Sequence, residues 1–264
     1  MSQFISKASI KRVSEQGHKL YCQKNYSKAE AFFQQAVDGQ EKTLGREHKD
    51  TLASKQWLGR SLYYQEKYGK AEAFFQQAVD GQEKILGREH KDTLTSKHWL
   101  GRSLYRQEKY GKAEAFFQQA VDGQEKTLGR EHKDTLASKH WLGRSLYYQE
   151  KYGKAEAFFQ QTIDGQEKIL GREHKETLIS KHWLGRSLYY QEKYGKAEAF
   201  FQQAVDVQEK TLGREHKETL ISKQWLQLSF SKQKNNSGAE TLLQSFSIGQ
   251  GEPLGEDNPS TLQT

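Results

Sequence analysis

Cysteine is almost missing: Cys22 stands alone among 264 residues, so no disulfide can form within the chain. That fits a reducing compartment and points to a cytoplasmic location. Long apolar runs are missing as well. No stretch approaches the roughly 20 residues that cross a bilayer, and the opening MSQFISKASIKR lacks the apolar centre of a signal peptide. Absent too are a Gly-rich phosphate loop, a nucleophile elbow and a metal-binding cysteine pair. The expectation is a non-catalytic protein with no cofactor, no metal and no membrane span. Apolar content is only 34%, against roughly 45–50% in globular domains. Yet 12% of residues are aromatic, which does not suit a disordered chain. Few apolar residues and many rings suit an elongated fold whose units each bury one thin seam.

The formal net charge is +7, unevenly spread. Residues 1–28 hold Lys7, Lys11, Arg12, Lys19, Lys24 and Lys28 against Glu15 alone. Residues 52–93 hold seven basic and six acidic side chains. The basicity is therefore an N-terminal feature. Its plain reading is a solvated face, and its sharper one a weak patch for acidic partners. The nearly neutral units argue against nucleic acid.

What is present is a repeat. Trp57, Trp99, Trp141, Trp183 and Trp225 follow one another at 42-residue intervals. Against residues 52–93, residues 94–135 differ at four positions, 136–177 at four and 178–219 at five. Residues 10–51 and 220–261 read as worn end copies. Residues 1–9 form a basic lead and 262–264 a tail. End units lack a neighbour on one side and are expected to diverge.

Two helices are expected per unit. Asp50 or Thr51 offers an N-cap oxygen for the first, which carries Trp57, Leu58 and Leu62 and ends near Glu66–Lys67. The chain then turns at Tyr68–Gly69, with Gly69 and Glu72 as a partial capping box. The second helix carries an apolar stripe of Ala71, Phe74, Phe75, Ala78, Val79, Ile85 and Leu86. Gly87 sits where a left-handed C-cap is needed. Gly59 recurs as Gly101, Gly143 and Gly185. It suggests close helix approach, with Ala71 and Ala78 facing it. One pair cannot bury Trp57, Phe74 and Phe75 alone, so pairs must stack.

The run Trp57-Leu58-Gly59, Leu62-Tyr63, Tyr68, Ala71-Glu72, Phe75 and Ala78 resembles the tetratricopeptide repeat. The 42-residue length and the Leu-Gly-x-x-His ending are similar to the kinesin-light-chain type found in fungal arrays. The resemblance implies an all-α, right-handed superhelical solenoid of antiparallel helix pairs that binds a protein or peptide partner. Two departures stand out. Lys49, Lys91, Lys133, Lys175 and Lys217 replace a usual proline, and the Trp series stands where kinesin-type repeats carry a peptide-clamping Asn.

The resemblance also implies that the first helices line a concave groove. By register, that groove would present Gln56, Arg60 and Tyr63, then Thr95, His98, Trp99, Arg102, Tyr105 and Arg106. His140, Arg144 and Tyr147 follow, then His182, Arg186 and Tyr189. His98 and Arg102 are i, i+4 neighbours, and Arg102 and Tyr105 are i, i+3 neighbours, so they share a face. Arginine pairs with carboxylates in bidentate fashion and Tyr and Trp add flat contact area, which favours an extended acidic peptide. On that reading, exchanging Arg102, Arg144 and Arg186 for Glu weakens partner binding. The opposing reading makes Trp an inter-repeat core residue and Arg a structural partner. The connector series His48, His90, His132, His174 and His216 is expected to satisfy loop backbone rather than metal. Three other readings stay open: a sensor arm of a larger signalling NTPase, a cargo adaptor similar to kinesin light chain, and an array without a fixed partner. The oligomeric state stays open.

Overall fold

The connector histidines, not the residues after them, start the first helices. In the computed structural model, which describes residues 7–233, His48 has φ −68° and ψ 139°. Its Nδ1 accepts from the Asp50 backbone N–H at 3.2 Å. A ring nitrogen thus does what a Ser or Asp oxygen does at an ordinary N-cap. The N-cap expected at Asp50 or Thr51 moves to His48, because both residues already lie inside the helix. Thr51 instead ties down the connector, its Oγ1 donating to the Gly45 carbonyl at 2.9 Å. His90, His132, His174 and His216 cap in the same way.

The turn between paired helices also differs from expectation. The first helix ends at Tyr63, and Glu66 takes a left-handed φ of 61°. The Lys67 N–H then reaches back to the Leu62 carbonyl at 3.0 Å. The second helix starts at Tyr68 with Lys67 as N-cap and no side-chain cap. Gly69 and Glu72 therefore form no capping box: Gly69 is already inside the first turn, and the Glu72 carboxylate is drawn to Lys109 at 2.9 Å and Gln107 at 2.8 Å. At the other end, Gly87 has φ 94° and closes the helix as expected.

Eleven helices follow among the described residues: α1 (Lys7–Cys22), α2 (Tyr26–Thr43), α3 (Lys49–Tyr63), α4 (Tyr68–Ile85), α5 (Lys91–Tyr105), α6 (Tyr110–Thr127), α7 (Lys133–Tyr147), α8 (Tyr152–Ile169), α9 (Lys175–Tyr190), α10 (Tyr194–Thr211) and α11 (Lys217–Lys232). They form two compact units, one up to Arg130 and one from Glu131. In the first, α1–α6 pack as consecutive antiparallel pairs, each helix against its neighbours in sequence. In the second, α7–α11 do the same. The fold is all-α, a solenoid of helix pairs. Most of the expected closing repeat beyond residue 233 lies outside the described residues.

Gly59 does mark a close approach, but its partner is an aromatic ring. A Cβ there would stand 2.8 Å from Phe75 Cε1. The alanines expected to face it, Ala71 and Ala78, are fully buried, but the ring is what needs the missing side chain. Gly101/Phe117, Gly143/Phe159 and Gly185/Phe201 repeat the contact. A second close approach joins Gly81 to Leu52, at 2.6 Å from a hypothetical Cβ. Each fully buried Phe contributes about 1.5–3 kcal/mol.

Candidate functional site

The recurring Trp is a seam residue. Trp99, on the first helix of its pair, meets the preceding pair edge-on at Tyr63 (5.4 Å) and stacks on Phe75 (6.1 Å). In the second unit Trp183 meets Tyr147 (5.2 Å) and Phe159 (6.4 Å) likewise. Trp99, Trp141 and Trp183 are only 5–6% exposed.

The arginines lie between these rings. Arg60 Cζ stands 4.0 Å from the Trp57 ring, 4.7 Å from Trp99 and 5.1 Å from Tyr21. Arg102 sits 4.2 Å from Trp99 and 4.8 Å from Tyr63, donating to the Tyr63 hydroxyl at 3.4 Å. Arg144 lies between Trp141 (4.5 Å) and Trp183 (4.4 Å). Arg186 lies between Trp183 (4.5 Å) and Trp225 (4.7 Å), and its Nε donates to the Tyr147 hydroxyl at 3.2 Å. These are cation–π contacts in a desolvated setting, where they are strongest. Arg102, Arg144 and Arg186 are 5–6% exposed, whereas Arg60 is half-buried. Exchanging the buried three for Glu would place carboxylates among indole rings, so that exchange loads the packing before it reaches any ligand.

Each of the other groove positions has a definite place. Gln56 is buried and donates to Ser96 Oγ of the next pair at 3.0 Å. His140, at the equivalent position, has Nδ1 3.0 Å from Ser180 Oγ. Burial, aided by Arg102, Arg144 and Arg186 respectively, pushes the His98, His140 and His182 imidazoles down to about 3. His140 is 4% exposed, while His98 and His182 keep some contact with water. Tyr63, Tyr105 and Tyr147 are buried and Tyr189 is half-buried. Arg106 is half-buried and donates twice to the Tyr68 hydroxyl, at 2.8 and 3.0 Å. The structure therefore gathers the Arg, Trp and Tyr positions within each unit into one wall and buries most of it.

The sequence reading missed a buried lysine. Lys97 is 3% exposed, and its Nζ stands 2.7 Å from Glu83 Oε1 on the preceding helix. Lys55/Glu41, Lys181/Glu167 and Lys223/Glu209 repeat the pair at 2.8 Å. A signal existed: Lys55 falls three residues from both Leu52 and Leu58, on the apolar side of its helix. A second link joins pairs through Glu72. Burial pushes its carboxyl up, but hydrogen bonds from Lys109 and Gln107 outweigh that and hold it below the ordinary range. Among the described residues no cluster of three or more His, Cys, Asp or Glu side chains could hold a metal. No described helix is long and apolar enough to cross a membrane.

Known proteins show the same pattern of paired helices. The tetratricopeptide repeat family matches at residues 14–84, 53–126, 92–168 and 134–210. No curated protein matches the chain. Among solved structures, the nearly identical TPR-like repeats of a Podospora anserina protein provisionally designated a kinesin light chain are similar in two crystal structures, one of them of a single-substitution variant. One is 30% identical, covering 77% of this chain and 96% of that one, with a TM-score of 0.67. The other is 29% identical, covering 80% and 99%, with the same TM-score of 0.67. The apo form of RapI shares the fold at 15% identity, over 90% of this chain and 82% of that one, with a TM-score of 0.72. With matches spanning most of its length and a 42-residue helix-pair period, the chain belongs to the tetratricopeptide repeat family.

Proposed function

We infer that this protein is a non-catalytic scaffold that holds an extended, acidic segment of a protein partner against the wall of first helices. The observation that carries the reading is the row of guanidinium groups set between aromatic rings. The buried guanidinium groups lend the wall positive potential, and the half-buried Trp57, Arg60 and Arg106 are what it presents, a surface that acidic residues flanked by apolar ones complement. The repeat fold itself supports a protein partner, since the stacked pairs within each unit present a continuous surface. The likeness to repeats designated kinesin light chain favours a role in recruiting cargo or partners. The single thiol, Cys22, is exposed and unpaired, which accords with a cytoplasmic location.

The test is fluorescence anisotropy with a labelled Glu-rich peptide of about a dozen residues, beside its Gln counterpart. The acidic peptide should bind and weaken as salt rises, because Debye screening shortens from about 10 Å at 0.1 M to about 3 Å at 1 M. Equal binding of both peptides would remove the acidic preference, and binding of neither would remove the reading.

A further inference from the structure

The arginines of the wall are not equivalent, and the difference points to one end of the first unit. Arg102, Arg144 and Arg186 are closed in, but Arg60 is only half-buried. One repeat upstream the series changes. Ser14, Glu15 and His18 stand 42 residues before Gln56, Trp57 and Arg60. No indole or guanidinium therefore precedes Arg60 in the ladder, and the His18 ring lies edge-on to Trp57 at 4.5 Å. Arg60 is nonetheless held firmly, between Trp57, Trp99 and Tyr21. Its Nε is buried without a hydrogen-bond partner, while the guanidinium donates to the Tyr21 hydroxyl.

The surrounding charge has the same sense. Lys11, Arg12, Lys19, Lys24 and Lys28 are all exposed on α1, on the following turn and at the start of α2. Glu15 is the only acid among residues 1–28. Elsewhere in the unit acids and bases nearly balance, so the end that carries α1, against which Arg60 packs through Tyr21, is the more basic one.

We propose that Arg60 is the anchor of the peptide site, taking a carboxylate of the acidic segment in the half-open box formed by Tyr21, Trp57 and Trp99. This rests on the reading of the protein as a scaffold for acidic segments. A planar guanidinium already fixed by rings and by the Tyr21 hydroxyl loses little freedom on pairing, and its remaining Nη hydrogens can donate to a carboxylate. The buried Arg102 of the same unit helps to build the wall along which the rest of the segment lies.

The experiment uses the full chain and the same labelled Glu-rich peptide. Arg60→Gln is compared with Arg88→Gln, which removes an equal charge from the connector, where the side chain is 83% exposed. The expected result is an affinity loss of about tenfold for Arg60→Gln and little change for Arg88→Gln. If wild type binds and Arg60→Gln binds equally well, the anchor is wrong while the scaffold reading stands. If wild type does not bind the acidic peptide, both fall. Should Arg60→Gln melt below the assay temperature, phenylglyoxal labelling of the wild type decides. Bound peptide should protect Arg60 from modification, and equal labelling with and without peptide overturns the anchor.

Discussion

At the scale of single residues, the glycines inside first helices are the clearest case of sequence read through packing. Gly101 sits mid-helix, where glycine costs about 1 kcal/mol relative to alanine. The structure shows what that cost admits: the Phe117 ring, 2.8 Å from where a Cβ would stand. Gly101→Ala should therefore destabilise, despite its better helix propensity. Overpacking of this kind costs about 1–3 kcal/mol, seen as a lower urea midpoint at unchanged slope. A raised midpoint would mean that the Phe117 ring yields easily. The glycine series was legible as a close approach from its period alone. Its partner was not, because Ala71, Phe75 and Ala78 share one helical stripe, and only the relative rotation of two helices chooses among them.

At the scale of helices, existence and pairing were plain in the sequence, and ends were not. Apolar residues at helical spacing marked every second helix, and Gly87 marked its stop. The start of α3 was hidden because histidine is a rare cap. Its Nδ1 accepts only in the neutral ring with the proton on Nε2, a property no spacing reveals. The helix-to-helix ion pairs were hidden for another reason: a lysine on an apolar face reads as an error until its carboxylate is seen. Lys97 is 3% exposed while Glu83 keeps 27%. Glu83→Ala would leave the ammonium buried without its partner, which costs about 3 kcal/mol, at the low end because water reaches the site. The pair is not therefore a large net stabiliser. Replacing both members, as Glu83→Gln with Lys97→Met, should recover most of the loss in a thermal melt, and no recovery would show that the cost lies elsewhere.

At the scale of the whole molecule, repetition multiplies small local effects. His98, His140 and His182 have depressed folded pKa values of about 3, against 6.5 unfolded. The unfolded chain therefore binds more protons below pH 6.5. Their contribution to stability is complete above that pH and is lost as pH falls toward 3. Between pH 6.5 and 5, the loss is on the order of 2 kcal/mol for a fully buried histidine, and less for His98 and His182, which keep some solvent. Gln56 shows that a glutamine makes the same inter-pair hydrogen bond without titrating. His140→Gln should therefore leave the melt at pH 7.5 nearly unchanged and raise it at pH 5. An equal melt of variant and wild type at pH 5 would exclude His140 as the acid-sensitive group.

The binding wall was only partly readable at this scale. The 42-residue register placed Arg, Trp and Tyr together, but not their burial, because Arg60, Arg144 and Arg186 are each faced by a Trp from the pair that follows. The wall's purpose can be tested directly by titrating the labelled Glu-rich peptide against the full chain at low and high salt. The account predicts saturable binding that weakens with salt and exceeds that of the Gln peptide. Absence of saturable binding, or identical affinity for the two peptides, would contradict it.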